Sequence, residues 1–194
     1  METIGSVCVY CGSSSRVSEL YKTAARDFGK ILADKNIALV YGGGQVGIMG
    51  ILADAVLSAG GSVTGIIPEF LFEKEIGKGD VTDLVRVGSM HERKQKMAEL
   101  SDAFVALPGG FGTMDETFEI LTWRQLSLHN KPTIIADIDG YWQPLITLMD
   151  HIIAEGFASA DNRQLYSVVS TVEDILPAIE KGVSAVSSVE SKWM

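Results

Sequence analysis

The amino-acid sequence predicts an α/β protein built on a doubly wound parallel sheet, with helices on both faces and one hydrophobic core. Short apolar runs rich in β-branched residues alternate along the chain with longer segments of helical period. The runs are mostly apolar rather than cleanly alternating, which is typical of strands buried on both faces. A length of 194 residues favours a single domain, and the 20 glycines suit a fold with many tight turns.

The apolar runs predict six strands, at Ile4–Tyr10, Ile37–Tyr41, Val63–Ile67, Leu84–Val87, Ala103–Leu107 and Thr133–Ile138. Apolar spacing predicts helices between and after them, at Glu19–Lys35, Val46–Ala59, Met90–Leu100, Met114–Leu128 and Tyr141–Glu155. Ser89 and Glu92 have the spacing of a capping box, so one helix is expected to begin at Met90. Because strand and helix alternate, the strands are expected to be parallel.

The end of the chain is less regular. One more helix is predicted at Val172–Lys181, and the Ser- and Val-rich stretch that follows lacks a strong period. We therefore expect residues 1–182 to form the domain and residues 183–194 to be a loosely ordered tail.

Charge and composition exclude several classes of protein. The formal net charge is −9 and no block of Lys and Arg occurs, so extended nucleic-acid binding is disfavoured. The first residues, METIGSV, lack a basic region followed by an apolar one, and no apolar run approaches the length of about 18 residues that spans a bilayer. A cytoplasmic protein without membrane contact is expected.

The cysteines and histidines give no positive support for a metal or redox site. Cys8 and Cys11 have a CxxC spacing, but Cys8 lies inside an apolar run and no second ligand pair exists for zinc. A core thiol and a turn thiol are favoured over a redox pair. The three histidines are far apart and lack metal-binding spacing.

Three clusters rich in Gly or Ser follow predicted strands, at Cys11–Ser15, Tyr41–Gly50 and Pro108–Glu116. In a parallel sheet these clusters fall at the carboxyl edge, where helix N-termini offer unpaired N–H groups to phosphate. Neither glycine-rich cluster fits a standard nucleotide motif: the second lacks the Lys-Ser/Thr of a P-loop, and the third has Asp115 where a dinucleotide fingerprint has glycine. A single cluster fits a structural turn equally well, whereas the three together favour a phosphate site.

The third cluster ends in two acidic residues, Asp115 and Glu116, and Glu119 follows. Asp115 and Glu116 are explained equally simply as favourable residues in a first helical turn. Glu116 and Glu119, however, share a helical face and repel each other unless a cation lies nearby. Arg93 has the spacing of the apolar residues that face the sheet, so it either finds such a partner or extends its head to solvent. Lys94 adds positive charge to the same helix end.

The stretches YGGGQVGIMG, MHERK and above all PGGFGTMDE resemble the LOG (lonely guy) family of cytokinin riboside 5′-monophosphate phosphoribohydrolases. The resemblance runs from Cys8 to about Tyr141. It implies a Rossmann-like fold, no cofactor, and hydrolysis of the N-glycosidic bond of N6-substituted adenosine monophosphates to free base and ribose 5-phosphate. It also implies a homodimer with its active site near the interface, for which the helices Met90–Leu100 and Met114–Leu128 are the candidates.

The resemblance further implies which residues form the site. Arg93 and Glu116 would be the catalytic pair, and the nucleotide would be bound by Glu75, Lys94, Gly110, Phe111, Gly112, Thr113, Met114, Asp115 and Thr122. The family often has two glutamates at the positions of Asp115 and Glu116. An ionised Glu116 would stabilise the positive charge that develops on the sugar and orient the attacking water. Phe111 lies between glycines, where its ring could meet a planar ligand, and is a candidate base contact, whereas Trp123 is expected to pack inside its helix interface.

Three other functions fit parts of the sequence. Molybdenum-cofactor carrier proteins share the fold and hold a phosphorylated pterin on a glycine-rich loop without turning it over. Related proteins have been labelled lysine decarboxylases, which would require pyridoxal phosphate on a lysine, and no signature for this stands out. A nucleotide sensor with an intact site and slow chemistry cannot be separated from the hydrolase by sequence.

Overall fold

The computed structural model describes residues 4–74 and 77–182, and it contains one parallel sheet of seven strands. The strands are β1 (Ser6–Tyr10), β2 (Ala38–Tyr41), β3 (Val63–Pro68), β4 (Asp83–Val87), β5 (Ala103–Ala106), β6 (Thr133–Ala136) and β7 (Ser167–Val169). Their order in the sheet is β4-β3-β2-β1-β5-β6-β7, and every pair is parallel. The predicted fold class is confirmed.

Helices connect the strands: α1 (Glu19–Asp34), α2 (Gly47–Ser58), α3 (Glu69–Phe72), α4 (Met90–Glu99), α5 (Phe111–Gln125), α6 (Gln143–Ala154) and α7 (Ile175–Lys181). The helices lie on both faces of the sheet, because alternate side chains of β1 contact different helices. Val7 and Val9 pack with residues of α1, α2 and α7, whereas Cys8 and Tyr10 pack with residues of α4 and α5. The period of two along a strand thus separates two core layers.

Strand β1 lies at the centre, between β2 and β5. The Asp102 carboxylate fixes its start, because it accepts hydrogen bonds from the backbone N–H groups of Gly5 and Ser6, each at 2.9 Å. The strand order reverses between β1 and β5. In such sheets ligands bind beyond the carboxyl ends of the strands at this point.

The structure departs from the predicted elements at several points. Strand β7, helix α3 and two 3-10 helices, at Ile138–Gly140 and Ala160–Leu165, were not predicted. Helix α6 begins at Gln143 rather than at Tyr141, because the chain first makes a 3-10 turn in which the Asp137 carboxylate accepts from the Trp142 N–H at 2.6 Å. The predicted tail, residues 183–194, lies outside the described residues.

Candidate active site

The three Gly- and Ser-rich turns meet at the carboxyl edge of the sheet, as the sequence predicts. The N–H of Gly12 donates to the carbonyl of Pro108 at 3.1 Å, and the carbonyl of Gly12 accepts from the N–H of Met49 at 3.3 Å. These two hydrogen bonds tie the turn after β1 to the turn before α5 and to the first turn of α2.

The N-terminus of α5 is open to a ligand. The helix begins at Phe111, its N-cap is Gly110, and no side chain of the described residues caps it. Because the first N–H groups of a helix have no partner within the helix, this end offers donors to an anion. The prediction that the helix begins at Met114 was wrong, and Asp115 consequently lies beyond the first turn. The helix dipole therefore does not account for Asp115 and Glu116.

Adding a methyl group at each glycine of these turns separates them into two groups: those where it would clash with the protein and those where it would not. A methyl group on Gly42 would strike the Arg93 guanidinium, and one on Gly109 would strike the Thr113 side chain, so packing explains both glycines. A methyl group on Gly110 or Gly112 would face open space: apart from the adjoining backbone, no atom of the described residues lies within 4 Å of it, and neither glycine has a positive φ. Nothing in the protein itself requires glycine at these two positions, which points to space kept for a ligand.

Arg93 and Glu116 form a buried ion pair beside this helix end. Arg93 Nη1 donates to Glu116 Oε1 at 2.6 Å, and Arg93 Nε donates to the carbonyl of Ile66 at 3.2 Å. The side chains are 8% and 10% exposed. The expectation that the acid has a cationic partner is confirmed, and the alternative that Arg93 extends to solvent is wrong.

The environment of Glu116 changes its proton affinity. Burial raises the pKa of Glu116 above its ordinary value, and Arg93 opposes this without cancelling it. The nearby carboxylate of Asp115 raises the pKa of Glu116 further. A carboxylate with a raised pKa accepts protons more readily, which suits a general base.

Lys94 neutralises the remaining acids of the helix. Its Nζ lies 3.1 Å from Asp115 and 3.1 Å from Glu119. Burial alone would lower the pKa of Lys94, but hydrogen bonds to these two carboxylates raise it above its ordinary value. The repulsion expected between Glu116 and Glu119 is therefore relieved by two separate cations.

The other residues proposed for nucleotide binding are spread over α5. Phe111 is 88% exposed at the helix start. Met114 packs partly against the cluster around α6, and Thr122 is exposed, on the face that Asp115 and Glu119 also share. Glu75 lies outside the described residues.

Two residues at this edge were missed by sequence reasoning. Lys78 is buried, pairs with Asp54 at 2.7 Å and with Asp80 at 2.8 Å, and its N–H donates to the carbonyl of Gly43 at 2.8 Å. It fastens the segment before β4 onto the turn after β2. The Tyr141 hydroxyl donates to the carbonyl of Gly109 at 2.6 Å and so holds the turn before α5. Neither contact has a signal in the local sequence.

The remaining sequence expectations concern thiols, metals and membranes. Cys8 and Cys11 are both buried and free, as favoured from the sequence. Within residues 4–74 and 77–182, no three His, Cys, Asp or Glu side chains are grouped to hold a metal ion. Over the same residues, no helix has the length and apolar character needed to cross a membrane. Trp123 packs partly buried against the core layer of α4 and α5, as expected.

Comparison with known proteins shows the family of the chain. A family model described as "Possible lysine decarboxylase" matches residues 49–179. A cytokinin riboside 5′-monophosphate phosphoribohydrolase of Arabidopsis thaliana is 41% identical over 188 residues, which cover 97% of this chain and 87% of that protein. A protein of Oryza sativa subsp. japonica, named "Probable cytokinin riboside 5′-monophosphate phosphoribohydrolase", is 45% identical over 177 residues, covering 91% and 79%.

Solved structures share the fold at lower identity. The molybdenum cofactor binding protein from Rippkaea orientalis has a TM-score of 0.71 and 19% identity, over 95% of this chain and 100% of that one. The Moco carrier protein from Chlamydomonas reinhardtii has a TM-score of 0.69 and 20% identity, over 94% and 99%. At this identity the likeness concerns the fold alone. By contrast, the alignments with the two sequence relatives are 41% and 45% identical and cover most of this chain and of each relative. This chain therefore belongs to the LOG family of cytokinin riboside 5′-monophosphate phosphoribohydrolases.

Proposed function

We propose that this protein hydrolyses the N-glycosidic bond of N6-substituted adenosine 5′-monophosphates, releasing the free base and ribose 5-phosphate. The observation that carries the proposal is the buried Arg93–Glu116 pair beside the uncapped N-terminus of α5. The names of the sequence relatives support the same reaction.

The 5′-phosphate would bind at the start of α5. Gly110 and Gly112 leave the backbone N–H groups accessible, and the positive end of the helix dipole favours a phosphate there. The Thr113 hydroxyl and the exposed Ser13 and Ser14 of the neighbouring turn are the further donors expected near it. Tyr141 would keep this turn in place through its bond to Gly109.

Glu116 would carry the chemistry on the sugar. Cleavage of the glycosidic bond leaves positive charge on the ribose while the bonding electron pair departs with the base. The Glu116 carboxylate would stabilise that charge and take a proton from the water that attacks the sugar. Glu116 then releases that proton to solvent and the departing base takes one up from solvent, so that one water is consumed in total. Arg93, fixed by the carbonyl of Ile66, favours the ionised form of Glu116 that this role needs.

A homodimer with α4 and α5 at its interface is part of the proposal. These helices carry several large apolar side chains that are more than one-third exposed, namely Met90, Leu100, Phe118 and the adjoining Leu128. Thr122, exposed on α5, would then lie near the partner subunit. Sedimentation of the wild-type protein and of a Phe118→Glu variant tests this, since the variant should sediment as a monomer.

The catalytic proposal is tested by incubating purified protein with AMP and with N6-isopentenyl-AMP, and separating free base and ribose 5-phosphate by chromatography. Glu116→Gln should abolish release. Glu119→Gln is the matched control, because Glu119 lies on the same helix but pairs with Lys94 rather than with Arg93. A folded Glu116→Gln protein with near-wild-type turnover would remove Glu116 from the mechanism.

The alternative functions have less support. Pyridoxal phosphate requires a lysine amine that deprotonates readily, whereas Lys94 and Lys78 are each held between two carboxylates that raise their pKa despite burial. These two lysines do not fit a decarboxylase site. The carrier alternative is supported by the fold alone, and pterin fluorescence in the purified protein would favour it. The cytoplasmic location stays a prediction.

A further inference from the structure

The cations beside the candidate active site are already paired with carboxylates. Arg93, Lys94 and Lys78 are largely buried, with side chains that are 8%, 11% and 9% exposed. Each lies within 3.1 Å of a carboxylate oxygen, in the pairs Arg93–Glu116, Lys94–Asp115, Lys94–Glu119, Lys78–Asp54 and Lys78–Asp80. Because five carboxylates face three cations in these pairs, they leave no surplus of positive charge for a substrate.

A nucleoside monophosphate would need more positive charge than the start of α5 provides. A phosphate monoester carries a charge of about −1.5 to −2 at neutral pH. The N-terminus of a helix acts as about half a positive charge. A further cation is therefore expected to approach the phosphate from a neighbouring turn.

The segment from Gly12 to Tyr21, which follows β1, is tied at both ends to the turn before α5. At its first end, the N–H of Gly12 donates to the carbonyl of Pro108 at 3.1 Å, and a methyl group on Gly12 would lie 3.4 Å from the Gly109 Cα. At its other end, the ring of Tyr21 meets the ring of Tyr141 edge-on, with centroids 5.4 Å apart. The hydroxyl of Tyr141 in turn donates to the carbonyl of Gly109 at 2.6 Å. The segment between these ends therefore passes close to the start of α5.

Arg16 lies in the middle of this segment, four residues after Gly12 and five before Tyr21. The chain bends over residues 15–17, and the N–H of Arg16 donates to the Ser14 hydroxyl at 3.3 Å. Because an extended chain advances at most about 3.6 Å per residue, the Arg16 Cα lies within about 14 Å of Gly12 even before the bend shortens this distance. The side chain is exposed, and no described carboxylate lies within ion-pair distance of it. Its charge is thus available to a ligand.

We propose that Arg16 binds the 5′-phosphate of the substrate and makes the site selective for nucleotides over nucleosides. This role rests on the proposed function, which places the phosphate at the start of α5. The guanidinium fork can donate two hydrogen bonds to a phosphate, and it supplies the charge that the paired cations do not. Arg16 is then a substrate-binding residue on a turn that the catalytic pair does not touch.

The direct test is the affinity for ribose 5-phosphate, which has the phosphate but no base to release. Calorimetric titration of the full chain at about pH 8 is suitable, because the phosphate then carries two charges. Arg16→Gln should weaken binding about tenfold or more, as expected for the loss of a hydrogen bond between charged groups. Arg16→Lys should retain most of the affinity, because it keeps the charge. Lys35→Gln is the matched control, since it makes the same change of charge on an exposed residue at the far end of α1.

Two further measurements separate a phosphate contact from a general effect. Adenosine lacks the phosphate, so its affinity should be the same for the wild-type protein and for Arg16→Gln. With N6-isopentenyl-AMP, Arg16→Gln should raise KM about tenfold and leave kcat within about twofold, because a contact to the phosphate is made equally in the ground state and in the transition state.

The outcomes distinguish this proposal from the proposed function. Weaker binding of ribose 5-phosphate to Arg16→Gln, but not to Lys35→Gln, supports the role of Arg16, and it does so even if the protein hydrolyses no nucleotide. Equal affinities of the wild type, Arg16→Gln and Lys35→Gln overturn the role of Arg16 and leave the hydrolase proposal standing if base is still released. The same weakening in both glutamine variants also overturns it, because the effect then follows net charge. A wild-type protein that does not bind ribose 5-phosphate would overturn both this role and the phosphate site at α5.

Discussion

Gly42→Ala is expected to disable the enzyme by moving one guanidinium group. Gly42 directly follows β2, and its φ lies outside the positive region, so the backbone itself tolerates alanine. The added methyl carbon would lie 1.8 Å from Arg93 Nη2 and 3.0 Å from its Cζ. The protein can therefore accept the methyl group only if Arg93 moves.

The size of the effect follows from these distances. Ordinary contact begins at 3.4 Å, so Nη2 must move by about 1.6 Å, which is large against the 2.6 Å bond between Arg93 and Glu116. A hydrogen bond to a charged group contributes about 1.5–3 kcal/mol, and the free energy of unfolding should fall by that amount. Misplacement of a catalytic group by about 1 Å costs about 100-fold in rate, so kcat should fall about 100-fold.

The assay is release of free base from N6-isopentenyl-AMP, combined with urea unfolding of the same preparations. Because the start of α5 is untouched, KM should change by less than about threefold. Gly79→Ala is the matched control, since, apart from its chain neighbours, a methyl group there meets no atom of the described residues within 4 Å. A Gly42→Ala protein with kcat within about twofold of wild type would refute the assigned role of Arg93.

Three further outcomes are expected. Gly112→Ala should raise KM at least about tenfold, because the added methyl group faces only the space proposed for the phosphate. The protein should not lose stability, since alanine is about 0.5–1 kcal/mol more favourable than glycine in a helix. An unchanged KM would contradict this. The kcat of the wild-type protein should fall as the pH drops through the raised pKa of Glu116, and the midpoint of that fall should lie above pH 4.5. Arg93→Gln should move the midpoint to higher pH, because Arg93 lowers the pKa of Glu116. Profiles of kcat against pH for both proteins measure this. Burial raises the pKa of Cys8 to about 12 and that of Cys11 above its ordinary range, so iodoacetamide should label neither thiol at pH 8 until the protein unfolds, as mass spectrometry would show.

Local hydrophobic patterns in the sequence predict most of the strands and helices of the fold. Five of the six predicted strands were found from apolar runs because they are buried on nearly every residue, and a strand buried on both faces must be apolar throughout. The sixth, β4, is a partly exposed edge strand that was found from its short run of Leu and Val residues. Strand β7 escaped because it is a three-residue edge strand of mixed burial, SVV, which gives no such run. Phe111 and Gly112 look like part of a turn, yet both are helical, because the surrounding turns fix the start of α5 where local propensity does not.

The candidate site also has features that local sequence patterns predict and contacts that they do not. The spacing of Arg93 within α4 indicated that it faces the sheet, and the acids of α5 indicated that a cation is needed. Which cation meets which acid depends on how two helices from different parts of the chain come together, and no local pattern contains that. Lys78 was missed for the same reason, since its partner Asp54 belongs to α2.

The central position of β1 has a consequence for the synthesis of the protein. One edge of β1 can pair with β2 soon after it is made, but the other must wait for β5, and the Asp102 that fixes Gly5 comes 97 residues later. At about 5–20 residues per second, the ribosome takes about 5–20 s to make that stretch. During this time the nascent chain exposes an apolar strand edge, which is the stage at which a chaperone would be most useful.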